Sequence, residues 1–576
     1  MKLYNQFNNI LSKKEKKYVL IVIFSIFLIG LLEMVGIGIV PTVLYGLIEP
    51  EKFFDLIPTV LKEYLEPYIF QSSILFFTFF VFIIFVLKNF FLIILNYINI
   101  NLRGNIREGI IYRTNKFYNF LSYKEFLSSN SSNIIRNITT ESQNTSSVLR
   151  DSFFLLNEIL LVAFIIILNF IFNFEITLIT ILVLLLPLAI YFYFTKNVLK
   201  KIGSENVEIR SKLIKTINHT IGSFKENMIN GKFLFLEKYF KKILSSEVTN
   251  TKKYNFLSVI PKILFEIIVI LVIILSIIIL NLEKENIINE IPSLSFFIVS
   301  LIKLMPCISR ISINITKIVY NLKSVEIINE ISFSYINKKA NYKINQLKQN
   351  KNFNFLNKIV FENVDFSYSK EKKLLQNISF VIEKNSLVLI KGMSGAGKST
   401  LIDLILGLIK PDTGKIKIDN TNIENILIPW QNKISLLPQK TFLLEDSIKN
   451  NIIFGMEELN NSEVKIKKIV KDTNLELFIN NLSDGINTKI SERGKNISGG
   501  EMQRICLARS LYRNGDILIC DEPTTGLDEE NVTIFMNILK NLSKEKTILL
   551  VSHEKKLEEI SNKILEIKNS QIKIIK

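Results

Sequence analysis

Six stretches of this chain reach the roughly 20 apolar residues that a membrane-crossing helix needs. They cover approximately residues 19–47, 74–98, 153–172, 176–194, 261–280 and 291–313. Inside hydrocarbon every backbone N–H and C=O has to be satisfied within its own segment, so each stretch is restricted to a helix. Lys and Arg crowd the amino-terminal residues, 103–124 and 196–253, while 49–66 and 283–290 carry more acid. Basic loops stay inside, so this asymmetry predicts that both ends of the chain face the cytoplasm. Charged residues still make up 22% of the sequence, which a purely membrane-embedded chain does not need.

The stretches 99–150 and 196–258 are too polar for a bilayer but keep a helical period, which predicts membrane helices that continue into the cytoplasm and turn there. Phe53, Phe54, Ile57, Val60, Leu61, Tyr64 and Leu65 recur at intervals of three and four, and predict a short helix over 51–66 lying on the outer membrane surface. Residues 328–357, rich in Asn and Lys, read as a linker. From 358 onward short β-branched runs alternate with helical ones, the pattern of an α/β domain around a mainly parallel sheet. The expected organisation is an α-helical six-helix transmembrane domain over 1–327 with cytoplasmic helix extensions, a linker over 328–357, and an α/β nucleotide-binding domain over 358–576.

The net charge of +18 is scattered, with no nucleic-acid-binding module, and fits membrane topology rather than a nucleic-acid partner. Cys307, Cys506 and Cys520 are far apart and the chain has two histidines. That argues against a disulfide framework, a cysteine zinc site, or metal chemistry beyond a nucleotide's magnesium.

The chemistry is concentrated in the second half. Gly392, Ser394, Gly395, Ala396, Gly397, Lys398, Ser399 and Thr400 form a glycine-rich loop between a β-branched strand and an apolar helix. Side chains at Gly395 and Gly397 would obstruct the approach of backbone N–H groups to phosphate oxygens, and the helix offers its positive end to the same phosphates. Lys398 is expected to reach the β- and γ-phosphates and Ser399 to ligate Mg²⁺. Asp521 ends an apolar strand and can hold Mg²⁺ through water, and Glu522 can polarise the attacking water. His553 and Gln439 follow further strands and can sense the γ-phosphate, Gln439 also the metal. Phosphoryl transfer needs mainly positioning and charge neutralisation, which this set supplies.

With these residues in this order, 359–576 resembles the ATP-binding cassette transporter superfamily. Ser498, Gly499, Gly500 and Glu501 stand where the family has its signature sequence, with Glu501 in place of a glutamine. The resemblance implies that this segment contacts ATP held by another subunit, so that two copies of the chain sandwich two ATP molecules. It also implies adenine stacking by Tyr368 and a nucleotide contact through Asp528. Ser491-Glu492-Arg493-Gly494 resembles an exporter-specific coupling segment, and six helices ahead of one cassette is the plan of an exporter half-transporter in a bacterial cytoplasmic membrane.

Cargo rests on ionisable residues within the apolar runs, which are costly there and face a cavity or a partner. Lys88, Lys262, Lys303 and Arg310 predict a cationic cavity suited to a phosphate or pyrophosphate. The membrane half also resembles bacterial lipid-linked oligosaccharide flippases of the PglK type, through Leu32-Glu33 to Pro41, Tyr123 with Phe126, Pro261-Lys262 with Glu266, and Leu304-Met305-Pro306 with Arg310. That likeness implies ATP-driven flipping of a polyprenyl-pyrophosphate glycan to the outer leaflet. Export of a peptide or a drug-like molecule is the alternative transport reading. A cassette regulator of translation or DNA repair fits six membrane runs poorly.

Overall fold

Each of the six apolar runs falls within one long helix of the computed structural model. It describes residues 2–48, 59–172, 174–282, 287–348, 353–368, 373–456, 462–525 and 527–576. The chain divides into two units, one of residues 1–121 and 128–339, the other of 122–127 and 340–576.

In the first unit, α1 (Lys2–Ile10) and α2 (Lys13–Ile48) are followed by α3 (Thr59–Tyr118), α4 (Ser142–Phe172), α5 (Phe174–Gly222), α6 (Phe233–Leu282) and α7 (Ile287–Lys348). Among the described residues, Lys13–Met34, Val81–Tyr118 and Phe233–Leu271 are long and apolar enough to cross a membrane. The polar stretches do continue the membrane helices: α3 runs on to Tyr118, and α5 and α6 turn between Gly222 and Phe233. Of the helix expected over 51–66, residues 51–58 lie outside the described residues and 59–66 form the first turns of α3.

One core of this unit gathers Phe7 and Ile10 of α1, Val22 of α2, Ile106 and Ile110 of α3, Val148 of α4 and Val325 and Ile328 of α7. The stretch read as a linker from 328 differs from that reading as far as Lys348, because it continues α7. Ile328, Ile331 and Tyr335 bury along one face in this core, and their spacing of three and four is that of a helix stripe.

The second unit holds two sheets. The four-stranded one has β1 (Lys358–Phe366) between β2 (Leu375–Glu383) and β4 (Thr413–Ile418), with β5 (Thr421–Asn422) at its edge. Phe361 of β1 stacks on Phe380 of β2 with ring centroids 4.5 Å apart. The six-stranded one contains β3 (Leu387–Gly392), β6 (Ile434–Leu437), β7 (Ile517–Asp521), β8 (Thr547–Val551), β9 (Lys563–Lys568) and β10 (Gln571–Ile574) in the order β10-β9-β3-β8-β7-β6.

All pairings in this sheet are parallel except β9 with β10. Leu387 to Ile390 are all fully buried. Val388 and Ile390 face one core and Leu387 and Leu389 the other, as a parallel sheet covered on both sides requires. Register pairs Ile390 and Asp521 with Val551, and Leu437 with Cys520. The carboxyl ends of four neighbouring strands therefore lie side by side, where α/β folds place their ligands.

Candidate functional site: a phosphate loop with its carboxylates, and a cavity among the membrane helices

The loop after β3 leads into α8 (Lys398–Ile405). Gly395 and Gly397 have φ of +79° and +105°, a left-handed backbone that glycine adopts without strain. Gly395 is exposed, and a Cβ there would meet no protein atom within 4 Å, so the space beside the loop is open to a ligand. Lys398 is 7% exposed. Its Nζ donates to the Gly392 carbonyl at 2.8 Å and lies 2.9 Å from His553 Nε2. An ammonium only donates, so that imidazole nitrogen is an acceptor.

The strand order brings the remaining predicted residues to the same loop. Gln439 Nε2 donates to Glu522 Oε2 at 2.7 Å, and His553 Nε2 is 3.9 Å from Glu522 Oε1. Glu522 itself has φ +47°, an uncommon conformation for a non-glycine residue, held by its N–H on the Val551 carbonyl at 2.9 Å. Burial first, then the charge of Glu522, pushes the Asp521 carboxyl above its ordinary value, against the pull of Lys398 and a hydrogen bond with Ser399. A carboxylate crowded in this way is suited to a cation. The Ser399 hydroxyl, the Asp521 carboxylate and the Gln439 amide oxygen are the hard oxygen donors that Mg²⁺ takes, so these residues fit the metal. When bound, it supplies charge neutralisation at the phosphates.

Tyr368 is half-exposed and meets Phe366 edge-on with ring centroids 5.0 Å apart, and its hydroxyl lies 3.4 Å from Thr400 Oγ1. A ring fixed at one edge and open on a face is available for stacking.

Two residues beside this site were not assigned to it from sequence: Asp403 was not singled out, and Tyr123 was matched to the membrane half. Asp403, on α8, is pushed up to about 6 by burial and by Asp521. Its signal was a lone acid in an apolar helix. Tyr123 belongs to the second unit through segment 122–127 and packs against that unit's core. Burial, with the charges of Asp403, Tyr368 and Asp521, raises its phenol. No local pattern announces that placement.

Ser498, Gly499, Gly500 and Glu501 form a separate group at the start of α9 (Gly499–Arg513). Ser498 caps the helix by accepting from the Glu501 N–H at 3.3 Å, and Glu501 Oε2 accepts from the Ser498 N–H at 2.7 Å. This reciprocal box explains why Glu501 is at home where the resemblance has a glutamine. Asp528 likewise caps α10 (Glu529–Leu542), accepting from the Asn531 N–H at 2.8 Å. Asn531 also approaches Gly500, where a Cβ would meet its side chain at 3.1 Å. Among the described residues no hydrogen bond joins this group to the phosphate loop.

Residues 375–525 match the family model described as ABC transporter. They form an ATP-binding cassette. A putative export ATP-binding/permease protein of Rickettsia typhi is 41% identical over 217 residues, and the ATP-dependent lipid A-core flippase of Pasteurella multocida is 37% identical over 215 residues; each match covers 37% of both chains. A putative multidrug export ATP-binding/permease protein of Staphylococcus aureus is 39% identical over 211 residues, 36% of each chain. The chain thus spans little more than a third of the length of the curated relatives it matches. Over 93% of both chains the fold matches a bacterial Atm1-family ABC exporter solved with ATP bound, at TM-score 0.73 and 19% identity. Helical transmembrane architecture plus a cassette is therefore the fold.

Within the first unit, a cavity of about 360 Å³ opens among α2, α3, α4 and α7. Of the four predicted cavity cations, Lys303 and Arg310 line it, and Lys88 and Lys262 are not on its wall. Lys88 is 8% exposed with its Nζ 3.6 Å from Glu33 Oε2, and Lys262 is exposed. Arg310 donates through Nε and Nη2 to both oxygens of the buried Glu158, at 2.8 and 3.0 Å. Two of the four expected cavity cations, Lys88 and Arg310, are thus held in ion pairs.

Proposed function

We propose that two copies of this chain form an ATP-driven exporter in a bacterial cytoplasmic membrane. The observation that carries the reading is the convergence of Lys398, Gln439, Asp521, Glu522 and His553 on a phosphate loop, in the same chain as apolar helices that enclose a charged cavity. ATP would occupy the loop, with Ser399, Asp521 and Gln439 as the residues to hold Mg²⁺, which would neutralise charge at the phosphates. The adenine would stack on Tyr368, and Glu522 would polarise the attacking water. A second copy completes the site with Ser498, Gly499 and Gly500, which stand at the N-terminus of a 15-residue helix, an anion-binding position.

The cargo we propose is a lipid-linked (polyprenyl-pyrophosphate) oligosaccharide moved from the inner to the outer leaflet. Support comes from Lys303 on the cavity wall, and from a relative named as a lipid A-core flippase. The test is reconstitution in vesicles with a fluorescent polyprenyl-pyrophosphate glycan. ATP-dependent movement to the far leaflet is expected, and its absence alongside active ATP hydrolysis would remove this cargo. A second reading, export of a drug-like amphiphile, is favoured by the apolar wall of Phe153, Leu161 and Ile165 and by relatives named for multidrug export. Dye extrusion from the same vesicles decides between them.

A further inference from the structure

Ser498 and Asp528 each cap a helix, and the two helix starts are fastened to one another. Gly500 and Arg504 lie one turn apart on α9, so they share one face of that helix. Asn531, the third residue of α10, packs on that face. A Cβ on Gly500 would meet Cγ, Nδ2 and Oδ1 of Asn531 at 3.1, 3.2 and 3.2 Å. Three amide atoms at nearly one distance mean that the amide lies flat over the glycine, and a side chain at 500 would press on it.

The same amide reaches further along α9. Asn531 Oδ1 accepts from Arg504 Nη1 at 3.1 Å, and a hydrogen bond from a guanidinium is among the stronger kinds. Arg504 is half-buried, and among the described residues it has no carboxylate within ion-pair distance. The main chain of Asn531 is fixed in turn, because its N–H donates to Asp528 Oδ1 at 2.8 Å. Asp528, Asn531, Arg504 and Gly500 therefore form one run of contacts, and among the described residues none of its hydrogen bonds goes to the chain's own phosphate loop. What the run fixes is the spacing between Ser498 and Asp528.

We infer that Asn531 is a positioning residue for ATP hydrolysis. It locks the start of α9 to the start of α10, so that Ser498, Gly499, Gly500 and Asp528 meet the nucleotide of the second copy as one preformed surface. The inference rests on the two-copy reading proposed above. A surface ordered in advance does not have to be ordered when the copies close, which lowers the cost of closure. Loss of Asn531 therefore falls on turnover and leaves ATP binding to the chain's own loop intact.

The experiment uses the full chain in nanodiscs. Asn531→Leu keeps the volume and removes the acceptor, and Asn531→Asp keeps an oxygen for Arg504. Asn531→Leu should lower kcat for ATP about 10-fold, the worth of one hydrogen bond to a charged group. KM should stay within about 2-fold, the split expected when an interaction made only on closure is lost. Binding of a fluorescent ATP analogue should not change, which shows that the cassette is folded. Asn531→Asp should recover most of the turnover. Arg504→Met should reproduce the loss, and the double change with Asn531→Leu should lose no more than either alone. Asn531→Ala, a smaller change, reads the same contact if Asn531→Leu does not fold. In a Glu522→Gln background, ATP retained through rapid desalting reports the closed sandwich, and adding Asn531→Leu should deplete it.

Full kcat in Asn531→Leu overturns the inference, as does a raised KM at unchanged kcat. Failure of Asn531→Asp to recover turnover, with the ATP analogue still bound, does the same. If Glu522→Gln alone retains no ATP, the two-copy reading fails and takes the inference with it. If it retains ATP and adding Asn531→Leu leaves that retention whole, the inference fails and the two-copy reading stands.

Discussion

The phosphate site and the membrane cavity are both built from charged side chains surrounded by apolar structure, yet they handle charge in opposite ways. In the cassette, Lys398 beyond the end of β3 and Asp521 and Glu522 at the end of β7 converge across the sheet, with like charges close enough to raise Asp521. In the membrane unit, cations are matched to anions from other helices: Arg310 to Glu158, and Lys88 to Glu33. A site that cycles a highly charged ligand keeps its charges in reserve. A site inside a bilayer has to settle most of them within the fold, because an unpaired charge there is costly. The few groups left unsettled in the membrane unit are then the informative ones.

The contrast can be broken first at Glu522. Glu522→Gln should retain nucleotide binding and lower ATP hydrolysis by about 100-fold or more, the usual scale for a positioned general base; undiminished turnover in a phosphate-release assay would reject its role. The next largest effect concerns pairing. Glu158→Leu strands Arg310, and breaking a buried pair costs ~3–5 kcal/mol. Arg310 is 50% exposed, so solvent screening reduces the expected loss to about 1–2 kcal/mol, read as a lower thermal midpoint of the purified protein. The double change Glu158→Leu with Arg310→Met should recover most of it.

Smaller still is the helix box, where Ser498→Ala should cost ~1 kcal/mol. That loss should appear in thermal unfolding without nucleotide, separate from any effect on hydrolysis. The smallest effect is the slope with pH at Asp403. Its folded carboxyl titrates at about 6 against an ordinary 3.8, so within that interval the folded state holds a proton that the unfolded chain has released. Stability from this group is complete at the acid end and is lost as pH rises through about 6. The midpoint difference between the wild type and Asp403→Asn, followed across that window, should change in this sense; a flat difference would count against a raised carboxyl.

How much of this was legible in the sequence follows from the distance over which each signal acts. The phosphate loop, the strand before Asp521 and the strand before His553 carry their meaning in a few neighbouring residues, and the parallel sheet then brings them together. The six apolar runs are legible for the same reason. Glu158 and Arg310 lie 152 positions apart, so only the packing of α4 against α7 reveals that a predicted free cation has a partner. Tyr123 is similar: nothing near it in sequence marks it as part of the second unit. The continuation of α7 through 328–348 was readable, since Ile328, Ile331 and Tyr335 keep a helical stripe. The surrounding Asn and Lys residues masked it.

The hydrogen bonds of the phosphate site also tie its side chains to one another. With Glu522 accepting from Gln439, Lys398 against His553, and His553 3.9 Å from Glu522, the four form one connected run of contacts. A substitution at any of them is felt at the others, and effects within the set should not add.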